Sequence, residues 1–232
     1  MILSCHQPQY LPWLGYFDKI YRSDIFVFLD QVQYKEREFQ NRNRVRTKEG
    51  WMWLTVPVMS KGLGRQKISN VRIDNTLPWA RKHWSSLKAC YSQAPFFKTY
   101  NAFFEDLYSR HWDRLSDLNV EIINYLLREF NIGTKINYES AVGSSQCSTG
   151  RIIELCQKLK ADTYLSGQGG KDYLEEEKFS AAGIKLVYQE FSHPRYRQVY
   201  ATTGMEFIPN LAAVDLLLNE GAAGGKILKG ES

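Results

Sequence analysis

The sequence predicts an α/β protein: an open, mainly parallel sheet interrupted by an α-helical insertion. Three observations lead there. Short continuous apolar runs mark strands covered on both faces. The first two runs, Ile2–Cys5 and Ile25–Leu29, are joined by a helical segment, which makes the βαβ unit from which parallel sheets are built. The same strand–helix rhythm returns after residue 147, beyond a long helical stretch.

The elements follow in order. Ile2–Cys5 reads as a buried strand leading into a turn, His6-Gln-Pro-Gln-Tyr10. Pro12 suits the first position of a helix, and Trp13, Phe17 and Ile20 recur at helical spacing until Ser23 and Asp24 break it. Ile25–Leu29 is the second strand and ends at Asp30. Alternation through Gln40-Asn-Arg-Asn-Arg44 places Asn41 and Asn43 on one strand face. Trp51–Val58 reads as a strand, Ser60–Arg65 as a glycine-rich basic loop and Ile68–Ile73 as a further short strand.

From Leu77 to Phe130 the spacing turns helical, with apolar stripes through Trp84 and Leu87, through Tyr100, Phe104 and Leu107, and through Leu118, Ile122 and Leu126. After a polar stretch at Ser140–Thr149 come a helix near Ile152–Leu159, a strand at Asp162–Ser166 and a loop, Gly167-Gln-Gly-Gly-Lys171. A helix at Tyr173–Ala182 closed by Gly183 and a strand at Ile184–Tyr188 complete the rhythm. The last helix spans Leu211–Glu220, with Asn210 as N-cap and Gly221 as stop, before a tail at Gly221–Gly225 expected to be mobile. Residues 1–76 and 148–232 thus form the α/β core, and 77–147 a helical insertion or cap.

Composition bounds the function. With 44% hydrophobic and 24% charged residues among 232, the chain reads as an ordinary globular protein. Its longest apolar runs fall far short of the ~20 residues that cross a bilayer, and its first residues lack a basic lead-in. A cytoplasmic location without membrane insertion is expected. Four cysteines and four histidines show neither CxxC nor HxxxH spacing, which argues against a metal site. Homo-oligomerisation stays open.

Charge is concentrated. Between Lys35 and Arg72 stand ten basic residues against three acids, a net +7, leaving −2 for the rest of a chain that totals +5. Such a segment attracts an anionic partner, and arginine forks suit phosphate or carboxylate; the plainer alternative is a solvated ribbon. The moderate total argues against a dedicated duplex-binding protein and makes nucleic acid the less expected partner. Aromatic residues make up 14%, more than a core of this size needs.

Ligands of open α/β sheets bind beyond the carboxyl ends of the strands. His6 stands there after the first strand, within a stiffened aromatic segment containing Gln7, Tyr10, Trp13 and Tyr16. Asp30 ends the second strand and is the best-placed carboxylate for a base. His193, beside Arg195 and Tyr196, follows the last strand. His6, Asp30 and His193 are the catalytic candidates. Gly167, Gly169 and Gly170 permit close backbone approach to a ligand and should open on the same edge as His6. Asn41, Arg42, Asn43 and Arg44 complete the expected ligand contacts, and His6, the arginines and the glycine turn are expected to meet in one pocket. His83 and His111 read as packing or surface residues.

The segment from His6 to Ile20, HQPQYLPWLGYFDKI, resembles the opening signature of the WbqC-like family. The likeness continues through Asp24–Asp30, Gln40-Asn-Arg-Asn43, Ala161–Gly170 and the closing stretch from Pro209 to Asn219, so it covers nearly the whole chain. It implies a place in bacterial surface-polysaccharide (O-antigen type) biosynthesis. A weaker likeness, to the nucleotidyltransferase and pantothenate-synthetase superfamily with its HIGH-type histidines, implies a Rossmann-like (HUP-like) sheet. The chain departs from that pattern at Tyr10 and Leu11, where a second histidine would stand. No cofactor is specified beyond ATP or another nucleotide.

Together these readings lead to a transferase or ligase that moves an acyl or aminoacyl group onto a nucleotide-linked amino sugar, an anionic small molecule. One alternative is a non-catalytic nucleotide-sugar binder. The other is a single-stranded nucleic-acid binder that stacks bases on its aromatics.

Overall fold

A computed structural model describes residues 1–200 and 206–231. Its element order is β1 (Ile2–His6), α1 (Leu14–Tyr21), β2 (Ile25–Phe28), β3 (Arg42–Thr47), β4 (Gly50–Thr55), α2 (Trp79–Tyr91), α3 (Phe97–Ser109) and α4 (Leu115–Glu129). There follow β5 (Lys135–Tyr138), α5 (Glu139–Val142), α6 (Ser148–Lys158), β6 (Thr163–Ser166), α7 (Glu176–Ala181), β7 (Lys185–Tyr188), α8 (Val214–Glu220) and α9 (Ala223–Lys229).

Five strands form an open sheet in the order β5-β2-β1-β6-β7, and every pairing is parallel. With helices on both faces, this is a Rossmann-like architecture. Period-two alternation sorts the strand residues between two cores. Leu3, Cys5, Ile25 and Val27 pack with Ile152, Leu155 and Cys156 of α6 and Phe179 of α7. Phe26 and Phe28 turn the other way, into a larger cluster with α1, the helices α2–α4 and α8.

The crossover β1–α1–β2 steps toward one edge, whereas α6 carries the chain from β5 at that edge past β1 to β6. The direction of winding therefore reverses between β1 and β6. At such a switch point the loops leaving neighbouring strands diverge and open a crevice.

Several boundaries differ from expectation. Trp13 makes an isolated bridge with Ala212, which keeps it extended and delays α1 to Leu14 rather than Pro12. The strand expected at Trp51–Val58 is β4, which pairs antiparallel with β3 in a separate two-stranded hairpin. Ile68–Ile73 is not a strand: Ile68–Asn70 is a 3-10 turn, whose three-residue period brings Ile68 and Val71 to the same buried side. A second 3-10 turn, Gln168–Asp172, delays α7 to Glu176.

The final helix begins at Val214 rather than Leu211, and Asn210, at φ +60°, is not its cap. Residues expected as a mobile tail instead turn through Gly221 into α9. Gly225 lets that helix touch α4's end, since a Cβ there would stand 2.6 Å from the Phe130 carbonyl oxygen. Within 77–147, Lys135–Tyr138 joins the sheet as its edge strand. Its four residues offer only two apolar side chains, too short a pattern to read as a strand.

Candidate functional site

The crevice at the switch point holds a cavity of about 400 Å³. Its walls come from the loop after β1 (His6, Gln7, Gln9), the turn after β6 (Ser166, Gly167, Gly169, Gly170) and the basic segment's first residues (Lys35, Glu38, Phe39, Gln40), with Trp13 and Lys19 contributed by the segment between β1 and β2.

His6 ends β1 with its imidazole against Tyr16, edge to face, ring centroids 5.2 Å apart. Its Nδ1 lies 3.2 Å from the Gln7 carbonyl oxygen. A carbonyl only accepts, so Nδ1 donates, and in the neutral ring Nε2 keeps the lone pair. Burial, seconded by the nearby Lys19 charge, lowers the ring's pKa to about 3. The Tyr16 hydroxyl in turn donates to the Gln7 carbonyl at 3.1 Å, which fixes the loop.

Lys19 is only 4% exposed. Its Nζ donates to the Cys5 carbonyl oxygen at 3.2 Å, and it takes part in none of the ion pairs among the described residues. The adjacent carboxylate is committed elsewhere: Asp18 receives Arg22 Nε at 2.8 Å and Gln189 Nε2 at 2.6 Å. Burial lowers the Lys19 pKa to about 8, so at neutral pH the ammonium stays charged.

The turn beyond β6 approaches this ammonium closely. A Cβ on Gly167 would lie 3.9 Å from Lys19 Nζ, and one on Gly170 would stand 2.0 Å from Ser166 Oγ. Trp13 is folded over Gly15, where a Cβ would meet the indole at 2.3 Å, and Phe191 packs against it edge to face. A buried cation, a neutral imidazole and a side-chain-free turn on one crevice suit an anionic ligand.

The WbqC-like protein family model matches residues 7–227. The chain belongs to the WbqC-like protein family. This WbqC-like chain is also 35% identical to Uncharacterized protein Rv1507c of Mycobacterium tuberculosis (strain ATCC 25618 / H37Rv) over 222 residues, covering 93% of this chain and 92% of the relative. No solved structure matches it. The family is linked to polysaccharide biosynthesis.

The WbqC-like chain thus brings His6, Gln7, Trp13, Gly167, Gly169 and Gly170 to one cavity and leaves the other expected contacts outside it. Tyr10 is fully buried, its hydroxyl 2.8 Å from His83 Nδ1 and 2.6 Å from the Tyr108 hydroxyl, so its ring is a core element rather than a stacking platform. Tyr16 is buried behind His6. Asn41 and Asn43 do share the buried strand face, where they donate to Val56 and Leu11 carbonyls at 2.9 and 2.7 Å. Arg42 and Arg44 point to the hairpin's outer side, over Trp53 at 4.5 Å and Trp51 at 5.0 Å. The expected convergence with His6 therefore fails for the arginines, because strand alternation aims them away.

Asp30 accepts the Ser140 amide at 2.9 Å and lines a second cavity of about 380 Å³ with Pro8, Trp112 and Tyr138. The loop after β1 divides the two, with His6 and Gln7 on one side and Pro8 on the other. His193 does not line the His6 cavity; it packs against Phe191, Tyr196 and Phe207. The Tyr196 hydroxyl donates to Asp215 at 2.7 Å.

Lys19 is the residue that sequence reasoning missed. Its signal was an Asp-Lys pair inside a helix whose residues Leu14–Ile20 are buried throughout. A charged pair in a helix with no polar face is held for a reason.

Proposed function

We propose that the His6 cavity is the active site of a transferase or amide-forming ligase that moves a small acyl or aminoacyl group onto a nucleotide-linked amino sugar in bacterial surface-polysaccharide (O-antigen type) biosynthesis. The observation that carries this reading is the buried, carboxylate-free Lys19 ammonium in the crevice that also holds His6 and the glycine turn. A phosphate oxygen from the nucleotide-linked sugar satisfies that ammonium and approaches the bare backbone at Gly167.

In the transfer step the sugar's amine nitrogen attacks the acyl carbonyl carbon. A C–N bond forms, the bond from that carbon to the donor's leaving group breaks, and the leaving group departs with the electron pair. The amine's proton passes to His6 Nε2 and then to the leaving group. His6 is a weak base chiefly because it is buried and secondly because Lys19 repels its charged form; an anion beside Lys19 offsets the second of these, so ligand binding strengthens the base in part.

The test is a panel of nucleotide-linked amino sugars and activated acyl or aminoacyl donors, with products identified by mass spectrometry. A new amide is expected, and His6→Ala should lower turnover about 100-fold or more, as expected for loss of a general base, with the circular-dichroism spectrum unchanged. Full turnover in that variant overturns the assignment. A second reading, a binder that makes no product, draws support from the weak basicity of His6; nucleotide-sugar binding by calorimetry without product from any donor would establish it.

A further inference from the structure

We propose that the outer side of the β3–β4 hairpin and the groove between β4 and α2 form a binding track for an acidic carbohydrate chain. This site is separate from the His6 cavity and does not depend on the transfer chemistry proposed there.

The groove measures about 750 Å³, and no carboxylate lines it. Trp53 and Thr55 contribute from β4; Arg81, Lys82, Ser85 and Ser86 contribute from α2. Neither Arg81 nor Lys82 joins any ion pair among the described residues, and the same holds for Arg42 and Arg44 on the hairpin's outer side. Burying or pairing a cation removes it from use by a ligand. Arg81 and Lys82, both exposed, remain available; Arg42 and Arg44, half-buried, each donate to a backbone carbonyl, of Arg37 and Asn210.

Two features select carbohydrate. Trp51 and Trp53, 44% and 36% exposed, stand edge to face at 85°, and guanidinium groups cover part of their faces. Consecutive nucleobases need successive parallel faces, which this pair does not offer. The groove's hydroxyls match the hydroxyls of sugar rings, and stacked guanidinium forks match carboxylates. Trp53 also meets Phe39, ring centroids 6.0 Å apart, and Phe39 lines the His6 cavity. The track therefore runs from the open groove to the cavity mouth.

Calorimetry with the full chain tests this, using polygalacturonate oligosaccharides, neutral dextran of matched length and single-stranded oligouridylate. The acidic sugar should bind, and dextran at least about tenfold more weakly. Affinity should rise from disaccharide to longer oligomers. The exposed double variant Arg81→Gln with Lys82→Gln should weaken binding about tenfold, as should Trp53→Ala. Lys19→Met, which removes the buried cation beside His6, should leave this binding intact. Undetectable polygalacturonate binding, equal binding of dextran, tighter binding of oligouridylate, insensitivity to the double variant or loss in Lys19→Met would each overturn the proposal.

Discussion

A lysine kept 4% exposed with one carbonyl as its only hydrogen-bond partner among the described residues carries a cost, because a buried charge without a counterion loses several kcal/mol of hydration. Lys19→Met fills similar space without that charge. The variant should raise the melting temperature of the ligand-free protein and weaken nucleotide-sugar affinity by roughly 10- to 100-fold, the value of a charged hydrogen bond; thermal melts and calorimetry read the two effects separately. In the natural protein, nucleotide-sugar affinity should fall as pH rises through about 8, where Lys19 loses its proton. The variant should lack that step. His6 gives a second pH dependence. Its pKa falls on folding from 6.5 to about 3, so within that window the unfolded chain takes up a proton that the native chain refuses. Stability should therefore decline as pH drops from 6.5 toward 3, and His6→Gln should flatten the decline in urea titrations. At this scale His6, Trp13 and the glycines were legible because their positions follow from where strands end. Tyr10 was not, since one sequence cannot show that His83 and Tyr108 close over its hydroxyl.

Single elements are held by polar staples as much as by apolar faces. Asp215, at the start of α8, is fully buried and receives the Tyr91 hydroxyl at 2.9 Å, the Tyr196 hydroxyl at 2.7 Å and Gln198 Nε2 at 2.9 Å. The Tyr91 hydroxyl also accepts the Arg46 amide at 2.9 Å, so α2, β3 and α8 meet at one carboxylate. Asp215→Ala leaves two buried donors and the half-buried Tyr196 hydroxyl without their acceptor and should cost about 3 kcal/mol in urea unfolding. Asp215→Asn, which keeps an acceptor, should cost less. The βαβ elements could be read from the sequence because their apolar runs are continuous. Of β3 only the alternation through Gln40–Arg44 was legible, and that alternation also sends Arg42 and Arg44 to the side away from His6. Ile68–Ile73 misled because an apolar spacing of three serves a tight turn as well as a strand's loose approximation. The C-terminal glycines misled too: between helices, small residues are contact points rather than marks of mobility.

For the molecule as a whole, the parallel sheet and its switch point account for the position of the cavity without reference to any ligand. The class of fold was legible because two continuous apolar runs joined by a helical segment make a parallel pair. The edge strand β5 was not, and with it the path that carries the chain to the far side of β1. No helix among the described residues is long and apolar enough to cross a membrane. A fragment ending at residue 147 lacks α6, β6, α7 and β7, and so bares the face built on Leu3, Cys5, Ile25 and Val27. It should show no cooperative thermal transition by calorimetry.

The pairing of β1 has a further outcome during synthesis. Leu3 can join Ile25 almost as soon as both leave the ribosome, yet its other flank waits for Tyr164. Until then the nascent chain carries an open, apolar strand edge, which is a template for mispairing. Slow refolding is the expected consequence of a central strand whose second neighbour lies so far along the chain.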